Sequence, residues 1–362
     1  MTPSPAQSAE SVVSSESAET TLFVASRGAS PEHGLVRADL RDGAWRLRTL
    51  ATADQLSALA WHPTLPVVYG TAGVNRTGQL LAWRVGDGAE LLADEVAGPE
   101  ELEPCHVAVD PTGGTVVVTN YTSGQLALWR LAEDGTPLPD PLRIQLEGSG
   151  PETARQDAAH PHQAVFDPAT GQMYVIDLGA DLVRSFEVDL SDPATVSARE
   201  VATGAVPPGT GPRHAVVLPD GRLAVSGELG STLVVGRPGS DEWAVAASTT
   251  RTGPARTRHE RNYPGDLQLS ADGRYVYFAN RGDDTISVLD VSGAEPVLVV
   301  ERDAVVRWPQ HIHVREDDIL VAGWDSSQIV RLPLVDGVAG EAEELLVVDS
   351  PGWILPTHPA LG

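Results

Sequence analysis

The chain has 362 residues, 41% of them hydrophobic, enough to bury a sizeable core. Its formal net charge is −25 and it contains no lysine, so all 25 cations are arginine; a surface this acidic disfavours nucleic acid and anionic membranes as partners. A single cysteine, Cys105, excludes an internal disulfide and a cysteine-rich zinc site.

Residues 1–20, MTPSPAQSAESVVSSESAET, are rich in Ser, Ala and Glu and lack a basic start and an apolar stretch. They read as a disordered tail and not as a signal peptide. No apolar run reaches membrane-spanning length, so a soluble, cytoplasmic protein is expected. With 35 glycines, 28 prolines and little helical periodicity, the remainder reads as many short strands joined by turns. TLFVASRGASPEHGLVRADL, from residue 21, matches two successive strands. Six segments then share one plan of strand, turn, strand, turn, strand, over 57–73, 105–131, 162–188, 213–236, 265–291 and 310–334. They recur roughly every 45–57 residues, the range of four-stranded propeller blades. Asp, Pro and Gly mark the turns, as in DPTGG and SADGR. SPGWILPTHP, near residue 356, resembles the first strand of a repeat. It supplies what the N-terminal pair of strands lacks. The expected fold is therefore all-β, a seven-bladed β-propeller occupying 21–362, with one blade closed by strands from both ends of the chain.

The repeat gathers distant residues. First strands open with Pro followed by varied residues: PCH (104–106), PHQ (161–163), PRH (212–214), PGD (264–266), PQH (309–311) and PGW (351–353). First strands line a propeller's channel, so these residues should ring one mouth. Second strands return to the same rim and end at Asn120-Tyr121, Asp177-Leu178, Gly227-Glu228, Asn280-Arg281 and Gly323-Trp324. Aligned, the repeats put His162 level with Arg213, and Glu228 level with Arg281. Four ionisable side chains of both signs thus meet at one rim, which a purely structural ring does not require.

At these residues the sequence resembles the seven-bladed propeller lactonases, a family that includes propeller-type 6-phosphogluconolactonases and the fungal carboxy-muconate lactonizing enzyme. The motifs are PCHVAVDPTGGTVVVTNYTSGQLALW, GSGPETARQDAAHPHQAVFDP, GTGPRHAVVLPDG with GELGSTLVV, and NYPGDLQLSADGRYVYFANRGDDTI. The resemblance implies an active site of His162, Arg213, Glu228 and Arg281, needing no metal or cofactor. It also implies a small anionic lactone as ligand, with 6-phosphogluconolactone or a related aldonolactone the leading substrate. Arg155, His160, His106, Asp266 and Arg258 are the expected substrate contacts. The pattern departs from the family at Asp266 (usually Glu), Gln310 (usually Arg) and Gly323 (usually Asn), which bears on the substrate. In the expected chemistry Glu228 activates water. Arg213 and Arg281 hold the oxyanion or an anionic substituent. His162 delivers the proton to the leaving oxygen. The His and Glu roles are interchangeable at this level.

Other readings compete. A lactonizing cycloisomerase would use the same rim, and a non-catalytic propeller would bind a ligand or protein there. His160-Pro161-His162 has the spacing of a metal pair, with His106, His214, His311 or Asp266 as further ligands, but no HExxH or zinc cluster supports it. Cys105 beside His106 reads as packing rather than a nucleophile. The arginines of RTGPARTRHERNYPG (Arg251, Arg256, Arg258, Arg261) could hold a phosphate or form a solvated loop.

Overall fold

The second strand of each repeat is a nearly unbroken apolar run, and this fixes the layering. Thr115–Asn120, Met173–Asp177, Leu223–Gly227, Tyr275–Arg281 and Asp318–Gly323 are buried at every residue. A strand covered on both faces must lie between two other sheets. Outer strands such as Ser197–Ala205 and Val297–Asp303 consist mostly of exposed and partly buried residues. The computed structural model describes residues 20–28, 32–74, 77–96, 103–250 and 261–361. Among them the strands form seven antiparallel sheets. The expected tail lies outside the described residues except Thr20, where the first strand begins.

We number the blades from the N-terminus. Blade 1 pairs Pro351–Pro356 with Thr20–Ser26, followed by Gly34–Arg41 and Ala44–Thr52. Blade 2 runs from Ala58–Trp61 to Ala89–Val96 and blade 3 from Pro104–Val109 to Leu142–Gln145. Blade 4 runs from Pro161–Phe166 to Ser197–Ala205 and blade 5 from Pro212–Val217 to Trp243–Ala247. Blade 6 runs from Tyr263–Leu269 to Val297–Asp303 and blade 7 from Pro309–Val314 to Glu343–Val347. First strands touch one another around the ring and so form the channel wall.

The apolar core lies in the gaps between blades, not within any one of them. Each cluster of buried side chains joins two neighbours: Tyr69 and Trp129 across blades 2 and 3, Val117 and Phe186 across 3 and 4, Phe278 and Leu233 across 5 and 6. The gap between blades 7 and 1 holds Leu320, Ala322, Ile329, Leu22, Val24 and Ile354. The closing strand is thus both paired and packed. The Asp-rich turns are Asx turns, in which the carboxylates of Asp110, Asp167, Asp220 and Asp272 accept backbone amides two residues on.

Because Ile354 is fully buried in that last gap, Ile354→Ala should cost about 2–4 kcal/mol. A chain ended after Ser350 leaves strand Thr20–Ser26 with an open edge and should self-associate. Thermal melting and size-exclusion chromatography check both. A truncated chain that stays monomeric with an unchanged Tm would count against closure as the stabilising device.

Candidate active site

Five blades present the same backbone device at one rim. The residue before the leading proline accepts, through its carbonyl, the N–H of the residue that follows the second strand. Tyr121 donates to Glu103 (3.0 Å), Leu178 to His160 (3.0 Å), Glu228 to Gly211 (2.8 Å), Trp324 to Trp308 (3.1 Å) and Arg27 to Ser350 (2.9 Å). Just beyond the proline the register slips, as in a β-bulge. The slip falls at Cys105, His162, Arg213-His214, Gly265-Asp266, Gln310 and Gly352. Of these, Cys105, His162, Arg213, His214, Gln310 and Gly352 line a cavity of about 620 Å³ at the channel mouth. Aromatic walls come from Tyr121, Tyr263, Trp308, Trp324 and Trp353.

The loop before Arg213 is tightly held. Asp181 accepts the amides of Gly209 (2.6 Å) and Gly211 (2.7 Å). Gly211 has φ +57°, and a Cβ there would lie 2.3 Å from Cγ of Leu229, so only glycine fits. Gln156, fully buried, donates to the carbonyl of Leu178 and accepts the amide of Glu152, fixing the loop that carries Arg155.

Glu228 is the electrostatic centre. Its buried carboxylate meets Arg155 Nη2 at 2.6 Å, Arg281 Nη2 at 2.5 Å and Arg213 Nε at 3.1 Å. Burial alone would raise its pKa, but Arg281, Arg213 and Arg155 outweigh it and bring the group down to about 2. Arg213 is lowered to about 9 by burial and then by Arg281, with Glu228 opposing the change. Arg155 is raised, since Glu228 and Tyr121 more than offset its burial.

Below this layer runs a chain of polar contacts across four blades. Arg213 Nη1 donates to His214 Nε2 (3.2 Å), so His214 carries its proton on Nδ1 and donates to Asp266 (2.9 Å). The other Asp266 oxygen accepts the Ile312 amide (3.1 Å) and faces His311 Nε2 at 3.4 Å. His311 Nδ1 accepts the Ile354 amide (3.2 Å) and its ring lies 4.0 Å from Trp353. Burial, then neighbouring charges, hold His106, His162 and His214 well below the usual imidazole range.

The family description "Lactonase, 7-bladed beta-propeller" matches residues 21–356. The chain belongs to this lactonase family. Among family relatives, a 6-phosphogluconolactonase of Bacillus subtilis is 29% identical over 212 residues, 57% of this chain and 58% of that protein. One from Enterobacter is 26% identical over 329 residues, 86% of this chain and 94% of that protein. The matched stretch spans about half the length of the first curated relatives. A solved structure from Lactobacillus plantarum superposes with a TM-score of 0.83 at 22% identity, covering 94% of this chain and 100% of that one. The periplasmic gluconolactonase PpgL of Pseudomonas aeruginosa does so with a TM-score of 0.77 at 21% identity, covering 94% and 99%. These two likenesses concern the fold. Among the described residues, no helix is long and apolar enough to cross a membrane.

In this lactonase-family chain His162, Arg213, Glu228, Arg281 and Arg155 all line one cavity. The other expected contacts are placed differently. Asp266 and His106 lie one layer deeper, outside the cavity lining, where Asp266 has both oxygens engaged. His160 is stacked on Tyr121 (4.5 Å, 12°), with its nitrogens at Tyr121 O (2.8 Å) and Asp157 (3.2 Å). His162 also meets Tyr121, edge-on, but of the two histidines it alone lines the cavity, and among the described residues no three His, Cys, Asp or Glu gather around a metal position. Arg258 lies outside the described residues, as do Arg251 and Arg256; Arg261 is paired with Glu152. Cys105 is a cavity-wall thiol pushed up to about 12 by burial, too high for a thiolate nucleophile.

Arg27 and Trp308 line the cavity without belonging to the strand starts and strand ends that the sequence places at the mouth. Arg27 obeys the same rule as Glu228, since it follows the second strand of the closing blade. The rule was not applied there because that blade's first strand is far away in sequence.

Glu228 should hold the rim together. Glu228→Gln leaves buried arginines uncompensated and should cost about 3–5 kcal/mol at neutral pH. The depressed pKa makes this contribution fully present above the ordinary carboxylate value and lost as pH falls towards about 2. Denaturant melts of both proteins across that range should therefore converge on the acid side. A gap that stays constant with pH would contradict the ionic account.

Proposed function

We propose that the chain hydrolyses a sugar lactone in this cavity, with 6-phosphogluconolactone or a related aldonolactone as substrate. The observation that carries the proposal is a buried carboxylate holding three guanidiniums beside a neutral imidazole, on an aromatic-walled cavity of about 620 Å³. That size suits a small polar ring. Family membership and the names of the relatives support the same reading.

Lactone opening needs a proton acceptor for water, donors for the carbonyl oxygen and a proton for the departing ring oxygen. Of the two interchangeable assignments, the contacts favour His162 as the base. The Glu228 carboxylate is engaged by three arginines and its role is to fix them, whereas His162 lines the cavity and its Nδ1 has no protein partner among the described residues. His162 is kept neutral by burial and by Arg213, His214 and Arg281, so it can accept a proton. An anionic substrate among the arginines opposes their effect on His162 and strengthens the base as the complex forms. Arginine N–H groups receive the carbonyl oxygen as it gains charge, and stabilise it most in the transition state. The proton taken by His162 then passes to the ring oxygen as the C–O bond breaks.

Purified His162→Asn and Arg281→Ala should each lower kcat/KM on 6-phosphogluconolactone by roughly 10²–10⁴-fold. For the parent, kcat/KM should be flat through neutral pH and fall only below the usual imidazole range, as His162 gains its proton. Near-parent turnover in both variants would sink the assignment of residues; a parent inert towards every sugar lactone would sink the activity.

A further inference from the structure

The cavity has a second cationic pole, three blades from Glu228. Arg27 follows the second strand of blade 1, whereas Glu228 belongs to blade 5, on the opposite side of a seven-membered ring. The two poles differ in what their arginines still offer. Arg281 has a protein partner at every nitrogen and one Nη1 hydrogen left over: Nε to Tyr263 O (2.9 Å), Nη1 to Gln310 (3.3 Å) and Nη2 to Glu228 and Pro264 O (3.4 Å). Arg213 gives Nη1 to His214 and turns Nε to Glu228. Arg27 gives only its Nε, to Gln55 Oε1 at 2.9 Å. Among the described residues no carboxylate lies within ion-pair distance of it, and its two terminal nitrogens have no protein acceptor. Glu103, on the same cavity, acts on it only at longer range and has Thr122 Oγ1 as its own partner at 2.6 Å.

That open fork is held rigidly. The Arg27 guanidinium lies 4.4 Å over the Trp324 ring, a cation–π contact that sets its plane. Gln55 sets its rotation, and the Arg27 amide is clamped to Ser350. A planar, oriented, unpaired pair of N–H donors on a cavity wall is the geometry that takes a phosphate or carboxylate in bidentate fashion.

We infer that Arg27, seated on Trp324 and steered by Gln55, is the receptor for a terminal anionic group of the ligand. The lactone ring then lies across the cavity at His162 and Arg281. This rests on the lactonase reading for the ring's position and goes beyond it by assigning the residue that recognises an anionic end remote from the carbonyl. The arginines around Glu228 serve the reacting carbonyl, and Arg27 measures the substrate's length and charge.

Binding separates this inference from the activity. Calorimetric titration with 6-phosphogluconate, glucarate and gluconate asks whether a charged far end improves affinity. Gluconate should bind the parent at least about 10-fold more weakly than one of the other two. The better of those two identifies the group as phosphate or carboxylate. Arg27→Gln should shrink this preference by about 10–100-fold. Trp324→Leu, which keeps the arginine but removes its platform, should shrink it by about 2–5-fold. Melting curves of the variants check that they are folded. In kinetics, Arg27→Gln should raise KM for the phosphorylated lactone far more than for an uncharged one, while kcat changes less. Equal affinity of the parent for all three ligands, or an undiminished preference in Arg27→Gln, overturns the inference. Loss of the preference in Arg155→Gln instead of Arg27→Gln also overturns it. A parent that shows the preference yet hydrolyses no lactone leaves the anion site standing and removes the catalytic reading.

Discussion

The rim depends on a single backbone constraint, repeated around the ring. A carbonyl before the leading proline captures the N–H just past the second strand, and the inner strand then slips register. The first event fixes where Tyr121, Glu228, Trp324 and Arg27 leave the sheet. The second pushes Cys105, His162, Arg213 and Gln310 out of regular alternation and into the mouth. A regular ladder would send successive side chains to opposite faces. The bulge gives every such blade one free choice of side chain without disturbing the ladder outside it. Blade 2, whose inner strand Ala58–Trp61 pairs without a slip, contributes only small groups such as Ser57 and Gly73 to the cavity.

This explains how much could be read from the sequence. Second strands were legible because burial on both faces demands continuous apolar residues, as in TVVVTN and YVYFANR. Closure was legible because SPGWILPTHP repeats an inner strand. Outer strands such as AWRLRTLAT carry no such mark, since water covers much of their surface. At the site, His162, Arg213, Glu228 and Arg281 follow from alignment of repeats, because the constraint is positional. The depth of a side chain does not follow from position. Asp266 and Arg213 both lie in bulges, yet Asp266 turns inward to two histidines while Arg213 reaches the cavity. Electrostatic roles were the least legible, because the depressed pKa of Glu228 is the net result of burial and three arginines from different loops.

A chain of net charge −25 thus concentrates cations at one mouth. Arg27, Arg155, Arg213 and Arg281 face Glu228 and Glu103 there, leaving the lining positively charged. The acidic exterior repels anions while the cavity attracts them, so attraction is local rather than long-ranged. Selectivity for charge is therefore decided inside the cavity, after encounter.

The closing blade also imposes an order on how the site is made. Arg27 comes from the first strand of the chain, yet its amide is held by Ser350 and its ring platform is Trp324. During synthesis the arginine emerges long before either partner. The arginines and carboxylate around Glu228 come from blades 3 to 6, whereas the Arg27 wall needs residues from both ends of the chain. Recognition of a charged far end is thus the function most directly exposed to any peeling of the closing strand.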